Sequence, residues 1–65
     1  MFKIHLIVDS DLYKTYESAI VPSVSDSIYI KENVVFVVEN RIFPAIDANK
    51  IILFGKIRTD FFKIK

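Results

Sequence analysis

The chain has 65 residues, a formal net charge of +1, no cysteine and one histidine. That length predicts a single domain, and the absence of thiols excludes disulfides and cysteine-ligated metal sites. No apolar run reaches the roughly 18 residues of a membrane span, and the start has no signal-peptide core, so we expect a cytoplasmic protein without a membrane partner. Because 52% of so short a chain is hydrophobic, we expect its stability to come from an unusually apolar composition, from self-association, or from both.

The first predicted element is a strand over residues 2–8. Its apolar residues alternate with Lys3 and His5, the period of two that a strand with one buried face shows. Asp9-Ser10-Asp11 follows as a turn signal. Calcium needs about six or more oxygen ligands, and no downstream glycine or glutamate completes a loop, so these residues indicate a turn rather than a metal site.

Residues 12–20 allow two interpretations. Tyrosine and threonine favour a strand over residues 12–16 that pairs back on the first strand. The alternative is a short helical turn with Ser10 or Asp11 as its N-cap. Pro22 then extends the backbone before a polar turn leads into the next strand.

The middle of the chain predicts a β-hairpin, because it holds the densest block of β-branched residues. A two-residue and a three-residue loop ending at Asn33 give registers one residue apart. A one-residue slip exchanges every side chain between faces, so burial favours the three-residue loop, with Ile30 opposite Val34 and Ile28 opposite Phe36. The predicted core face is Ile28, Ile30, Val34, Phe36 and Val38, and the predicted opposite face is Tyr29, Val35, Val37, Glu39 and Arg41.

The rest of the chain predicts further strands. Pro44 ends the hairpin, a connecting loop follows, and residues 51–58 form a strand in which Gly55 marks a bend, a bulge or a close backbone approach. Residues 61–65 alternate again. Five or six short strands at about ten-residue spacing predict an all-β fold, a small antiparallel barrel or a sandwich, with at most one short helical turn.

A resemblance adds to this fold prediction. The segment VPSVSDSIYI at residues 21–30 resembles the Pro-x-x-Gly-Asp-x-Ile-x-Ile segment that starts the second half of many small SH3-like β-barrel modules, with Ser25 in place of the glycine. Phe36 and Val38 stand where those modules carry an aromatic residue and a valine. The resemblance implies a barrel and assigns no functional residue. Short proteins of this kind are common in phage and mobile-element genomes.

The sequence offers little for catalysis. His5 is the only histidine, and it lies mid-strand without an identifiable nucleophile or carboxylate partner. A single glycine excludes a phosphate-binding glycine loop. We therefore expect a non-enzymatic protein with no cofactor, no metal and no catalytic residue.

Surplus apolar surface predicts a binding function. So short a chain has little left to cover the second face of the hairpin, and an exposed apolar patch usually marks a partner or a second subunit. We expect a protein-interaction module that self-associates as a homo-oligomer or docks on a larger protein, a phage-type inhibitor or accessory protein being one realisation. The predicted interface is Tyr29, Val35 and Val37, with Glu39 and Arg41 as rim charges.

The alternative function is single-stranded nucleic-acid binding. Residues 1–49 carry four basic against seven acidic side chains, whereas residues 50–65 carry five against one. Basic residues interleaved with aromatics can neutralise phosphates and stack on bases. A pI near 8.0 is modest for such a protein, which makes this the less favoured function. The candidate residues are Lys56, Arg58, Phe61, Lys63 and Lys65.

Overall fold

A computed structural model describes residues 1–59, and every regular element in that range is a β-strand. The strands are β1 (Phe2–Val8), β2 (Asp11–Ser18), β3 (Ser27–Lys31), β4 (Val34–Ile42) and β5 (Lys50–Arg58). They form one sheet in the order β2-β1-β5-β4-β3, strongly curled into half a barrel. The predicted all-β, barrel-like fold is confirmed. The strand expected at residues 61–65 lies outside the described residues.

One strand pair departs from the predicted antiparallel barrel. β1 and β5 run parallel, with Ile4 opposite Ile51 and Leu6 opposite Leu53, while the other three pairs are antiparallel. The sheet is therefore mixed. Alternating hydrophobicity predicts each strand separately, but it carries no information about a partner far away in sequence. Over residues 1–59, β2 and β3 are the two edges of the sheet.

The turn between β1 and β2 is tight. Val8 pairs with Asp11, and both intervening residues are left-handed, with φ of 52° at Asp9 and 69° at Ser10. Two consecutive residues of positive φ define a type I′ turn, which suits the twist of a hairpin. β2 continues to Ser18, so the strand interpretation is confirmed and the helical alternative is wrong.

The β3–β4 hairpin has the predicted register over most of its length. Ile28 lies opposite Phe36, and Asn33 closes the turn with φ of 64°. The predicted pair of Ile30 with Val34 is wrong, because Lys31 takes that place and the ladder is irregular at Ile30. The turn itself is therefore a two-residue loop, and a bulge at Ile30 restores the predicted register for the rest of the hairpin.

The turn before β3 is hydrogen-bonded to β4. The Asp26 N–H donates to the Ser23 carbonyl at 3.0 Å, and the Ser23 N–H donates to the Asp26 carboxylate at 2.7 Å. Ser25 between them has φ of 80°, a region that glycine usually occupies. Its N–H donates to the Val38 carbonyl at 2.8 Å. The turn is therefore part of the sheet's hydrogen bonding.

Gly55 marks a close approach between strands, which is one of the three predicted alternatives. A Cβ placed on it would collide with the Val37 carbonyl oxygen and would lie 2.8 and 2.9 Å from Cζ and Cε1 of Phe36. Those ring contacts are tighter than protein atoms tolerate without movement. The absence of a side chain at Gly55 therefore lets the Phe36 ring pack directly against β5.

The core lies on one side of the curled sheet, which we call the inner face. Residues alternate along each strand between this face and the outer face. Phe36 and Val38 of the predicted hairpin core are fully buried, while Ile28, Ile30 and Val34 are half-buried. The buried cluster on the inner face is Ile4, Leu6, Phe36, Val38, Ile51 and Leu53.

Candidate functional site

His5 is the one histidine, and its surroundings are poor in catalytic groups. The strand pairing sets it on the outer face, opposite Thr15, whose Oγ1 lies 3.4 Å from Nδ1. Its Nε2 is buried and finds no hydrogen-bond partner among residues 1–59. Burial lowers the pKa of the imidazole, Lys50 and Lys3 lower it further, and Asp47 opposes them. The ring is thus biased toward its neutral form, with a hydroxyl as its nearest partner.

The described residues also contain no group of three or more side chains that could hold a metal ion. Of the two aspartates considered above as a cation site, Asp9 is a central residue of the type I′ turn and Asp11 is the residue that follows it. Left-handed backbone at Asp9 fits the tolerance of aspartate for that conformation. Turn geometry therefore accounts for both aspartates.

Only some residues of the predicted interface are exposed. Tyr29 lies on the outer face and is 64% exposed, and Val37 on the same face is half-buried. Val35, expected on the open surface, is 2% exposed although its neighbour across the strands is Tyr29. The expected exposure of Val35 is wrong, so a substitution there would disturb packing rather than a surface contact.

A bulge in β4 separates the two predicted rim charges. Val38 pairs with Gly55 and Asn40 with Phe54, so Glu39 is the extra residue between them. Beyond this bulge the alternation is reversed, and Arg41 lies opposite the core residue Leu53. The expectation that Arg41 shares a face with Tyr29 is therefore wrong.

Each rim charge has its own partner. The Arg41 guanidinium lies 5.2 Å above the centroid of the Phe43 ring and donates to the Pro22 carbonyl at 3.4 Å. This side chain connects the end of β4 to the segment before β3. Glu39 lies 3.7 Å from the Lys56 ammonium in an exposed ion pair.

Two of the five candidate nucleic-acid-binding residues lie among residues 1–59, and the other three lie beyond them. Lys56 and Arg58 both lie on the outer face of β5, opposite Val37 and Val35. Lys56 belongs to the ion pair with Glu39, and Arg58 has an interaction of its own. Phe61, Lys63 and Lys65 lie outside the described residues.

Exposed apolar residues are found elsewhere, at one end of the sheet. β1 and β5 start at this end, and β2 and β4 finish there, because of the parallel and antiparallel pairings. Large apolar side chains collect at these strand ends with high exposure, including 99% for Ile46, 75% for Ile20 and 55% for Phe43. We call this surface the apolar end; its residues are Met1, Ile20, Ile42, Phe43 and Ile46.

The loop that carries Ile46 is held by its own hydrogen bonds. The Asp47 N–H donates to the Pro44 carbonyl at 3.4 Å, and the Lys50 N–H donates to the Asp47 carbonyl at 3.2 Å. The Asp47 carboxylate accepts from the Asn49 N–H at 3.1 Å. Ile46 is thus displayed on an ordered turn.

The apolar end was missed by the sequence prediction, although the sequence contains a signal for it. Residues 42–46, IFPAI, carry apolar residues through a proline where the strand pattern stops. Loop residues have no inner face to bury them, so apolar side chains in a loop are exposed unless something else covers them. The predicted interface was instead placed on the hairpin, because alternation identifies faces of strands and not exposed loops.

Comparisons of the chain with protein-family models, with curated proteins and with solved structures give no match. Within residues 1–59, no helix has the length and apolar character needed to cross a membrane.

Proposed function

We propose that this chain is a non-catalytic protein-interaction module that acts by contact between its apolar end and another polypeptide. That polypeptide is a second copy of the chain or a larger protein. The observation that carries the proposal is the collection of five exposed large apolar side chains at one end of the sheet. Single exposed apolar residues are ordinary on protein surfaces, whereas a group of them usually marks an interaction site.

The size of the chain supports the same function. A domain near 65 residues buries only about 60% of the surface that its unfolded chain exposes, so association adds burial that the fold alone cannot supply. The resemblance to SH3-like modules would make the half-barrel a docking scaffold. A phage-type inhibitor or accessory protein is the biological role that this resemblance suggests.

Substituting the most exposed residue of the apolar end tests the proposal. Ile46→Lys places a charge at a position that is 99% exposed, so the fold should be unchanged within about 0.5 kcal/mol. We expect the weight-average mass in sedimentation to fall toward the 7.6 kDa of one chain if the partner is a second copy. The matched control is Leu12→Lys, which changes an exposed apolar residue at the other end of the sheet and should leave association intact.

Photo-crosslinking covers the case of a larger partner. A photoreactive residue at position 46 should form an adduct with one protein of the source cell, and the same residue at the exposed position of Val24, outside both the apolar end and β2, should not. If position 46 gives neither dimers nor a specific adduct, and Ile46→Lys changes no sedimentation profile, the proposal fails.

A further inference from the structure

A cleft separates the two edge strands of the half-barrel. Its volume is about 470 Å³, and the described residues that line it are Tyr13 and Lys14 on β2 with Ile30 and Lys31 on β3. This size lies within the range of about 300–1,000 Å³ that is usual for ligand sites. We call this cleft the seam.

The irregular residues of both edge strands are found at the seam. The β1–β2 ladder shifts between Leu6 and Ile7, which leaves Tyr13 as the extra residue of β2. The β3–β4 ladder shifts between Tyr29 and Lys31, which leaves Ile30 as the extra residue of β3. Bulges re-aim side chains at sheet edges and beside binding sites. Here they supply the apolar part of the seam.

Both lysines of the seam belong to the inner face. Lys14 pairs with Leu6, a core residue, and Lys31 pairs with Val34, two residues before the core residue Phe36. Paired residues in an antiparallel ladder share a face. Two ammonium groups therefore border an opening whose other walls are Tyr13 and Ile30. The fitting ligand combines negative charge with apolar side chains.

We propose that the seam binds an extended acidic peptide segment of a partner protein, which adds as a strand along β2. Among residues 1–59 β2 is an edge strand that pairs only with β1, and the second side of an edge strand is where a further strand adds. Strand addition supplies main-chain hydrogen bonds, and side-chain pockets then supply specificity. Alternate carboxylates on the peptide would face Lys14 and Lys31, and the peptide's apolar residues would contact Tyr13 and Ile30. This site is separate from the apolar end.

Inward-pointing lysines also protect sheet edges from unwanted pairing, and that role makes the opposite prediction. An edge that is only protected binds no peptide of either charge.

The probe is a blocked hexapeptide of alternating valine and glutamate, titrated into the full-length chain at low salt and followed by amide chemical shifts. We expect shifts along β2 and at Ile30 and Lys31. The matched valine–lysine hexapeptide should bind at least about 10-fold more weakly.

Substitution of the two lysines tests whether their charges bind the acidic peptide. Lys14→Gln and Lys31→Gln should each weaken binding of the acidic peptide by about 3-fold, as expected for exposed charge pairs. Lys3→Gln removes the same charge from the outer face of β1 and should leave the affinity unchanged. The double variant Lys14→Glu with Lys31→Glu should reverse the preference in favour of the valine–lysine peptide. Ile46→Lys should not alter either affinity, so this test is independent of the proposed function.

Two further probes test the strand geometry. Replacing the valines by proline removes backbone donors without changing the charge, and it should abolish binding. Inorganic phosphate alone should not displace the peptide at equal concentration. The proposal is overturned by absence of binding, by equal binding of the proline peptide, by displacement with phosphate, or by unchanged affinity in both lysine variants.

Discussion

At the scale of single residues, the contact between Gly55 and Phe36 sets the tightest limit on substitution. We expect Gly55→Ala to destabilise the fold by about 1–3 kcal/mol, because the added methyl collides with the Val37 carbonyl and with the Phe36 ring. Urea unfolding followed by circular dichroism measures the loss. Phe36→Leu removes ring atoms, so Gly55→Ala should destabilise that background less than the wild type. Strict additivity of the two changes would contradict the packing described.

His5 gives the fold a pH dependence with a definite sign. A base whose pKa is lower in the folded chain takes up fewer protons when folded, so stability is lost as the pH falls through the unfolded value of 6.5. We expect the free energy of unfolding to be lower at pH 5.5 than at pH 7.5. His5→Gln cannot titrate and should show a smaller difference between these two pH values. An equal difference in both proteins would mean that other groups cause it.

Individual residues also show what the sequence could predict about the candidate surfaces. The exposure of Tyr29 follows from simple alternation, and the close approach at Gly55 is one of the three alternatives that a single glycine suggested. The inner position of Arg41 could not be predicted, because it depends on one extra residue in β4 that leaves no mark in the sequence. Alternation identifies faces only until the first bulge.

At the scale of elements, the turn between β1 and β2 carries avoidable strain. Ser10 has φ of 69°, a conformation that is unfavourable for a residue with a Cβ. We expect Ser10→Gly to stabilise the fold by about 1 kcal/mol, since glycine is the usual residue in type I′ turns. Thermal unfolding measures the change. The control, Ser27→Gly, changes the first residue of β3, which pairs with Val37, and should lower the melting temperature, because glycine weakens a strand.

The elements were more predictable than their arrangement. β1 and the register of Ile28 with Phe36 follow from alternating burial, which is a local property of the chain. The parallel pairing of β1 with β5 is not local, and the two strands could satisfy their hydrophobic pattern in either direction. The sequence therefore predicts an all-β fold but not a mixed sheet.

At the scale of the whole molecule, the half-barrel has two different ends. The apolar end collects the start of β1 and the loop before β5, while the seam lies near the opposite ends of the strands, between β2 and β3. One surface is apolar and the other carries two cations. A chain with both could contact two polypeptides at once, and the substitutions at Ile46 and at the two seam lysines separate these contacts.

The parallel pair of β1 and β5 also determines when the protein can fold during its synthesis. β1 is synthesised before the other four strands, but its neighbour in the centre of the sheet is the last of the five. At a rate of about 5–20 residues per second, Ile4 and Leu6 wait several seconds before Ile51 and Leu53 exist. During that interval the nascent chain exposes apolar residues that nothing yet made can cover. The central pairing of this half-barrel therefore cannot form until β5 has been synthesised.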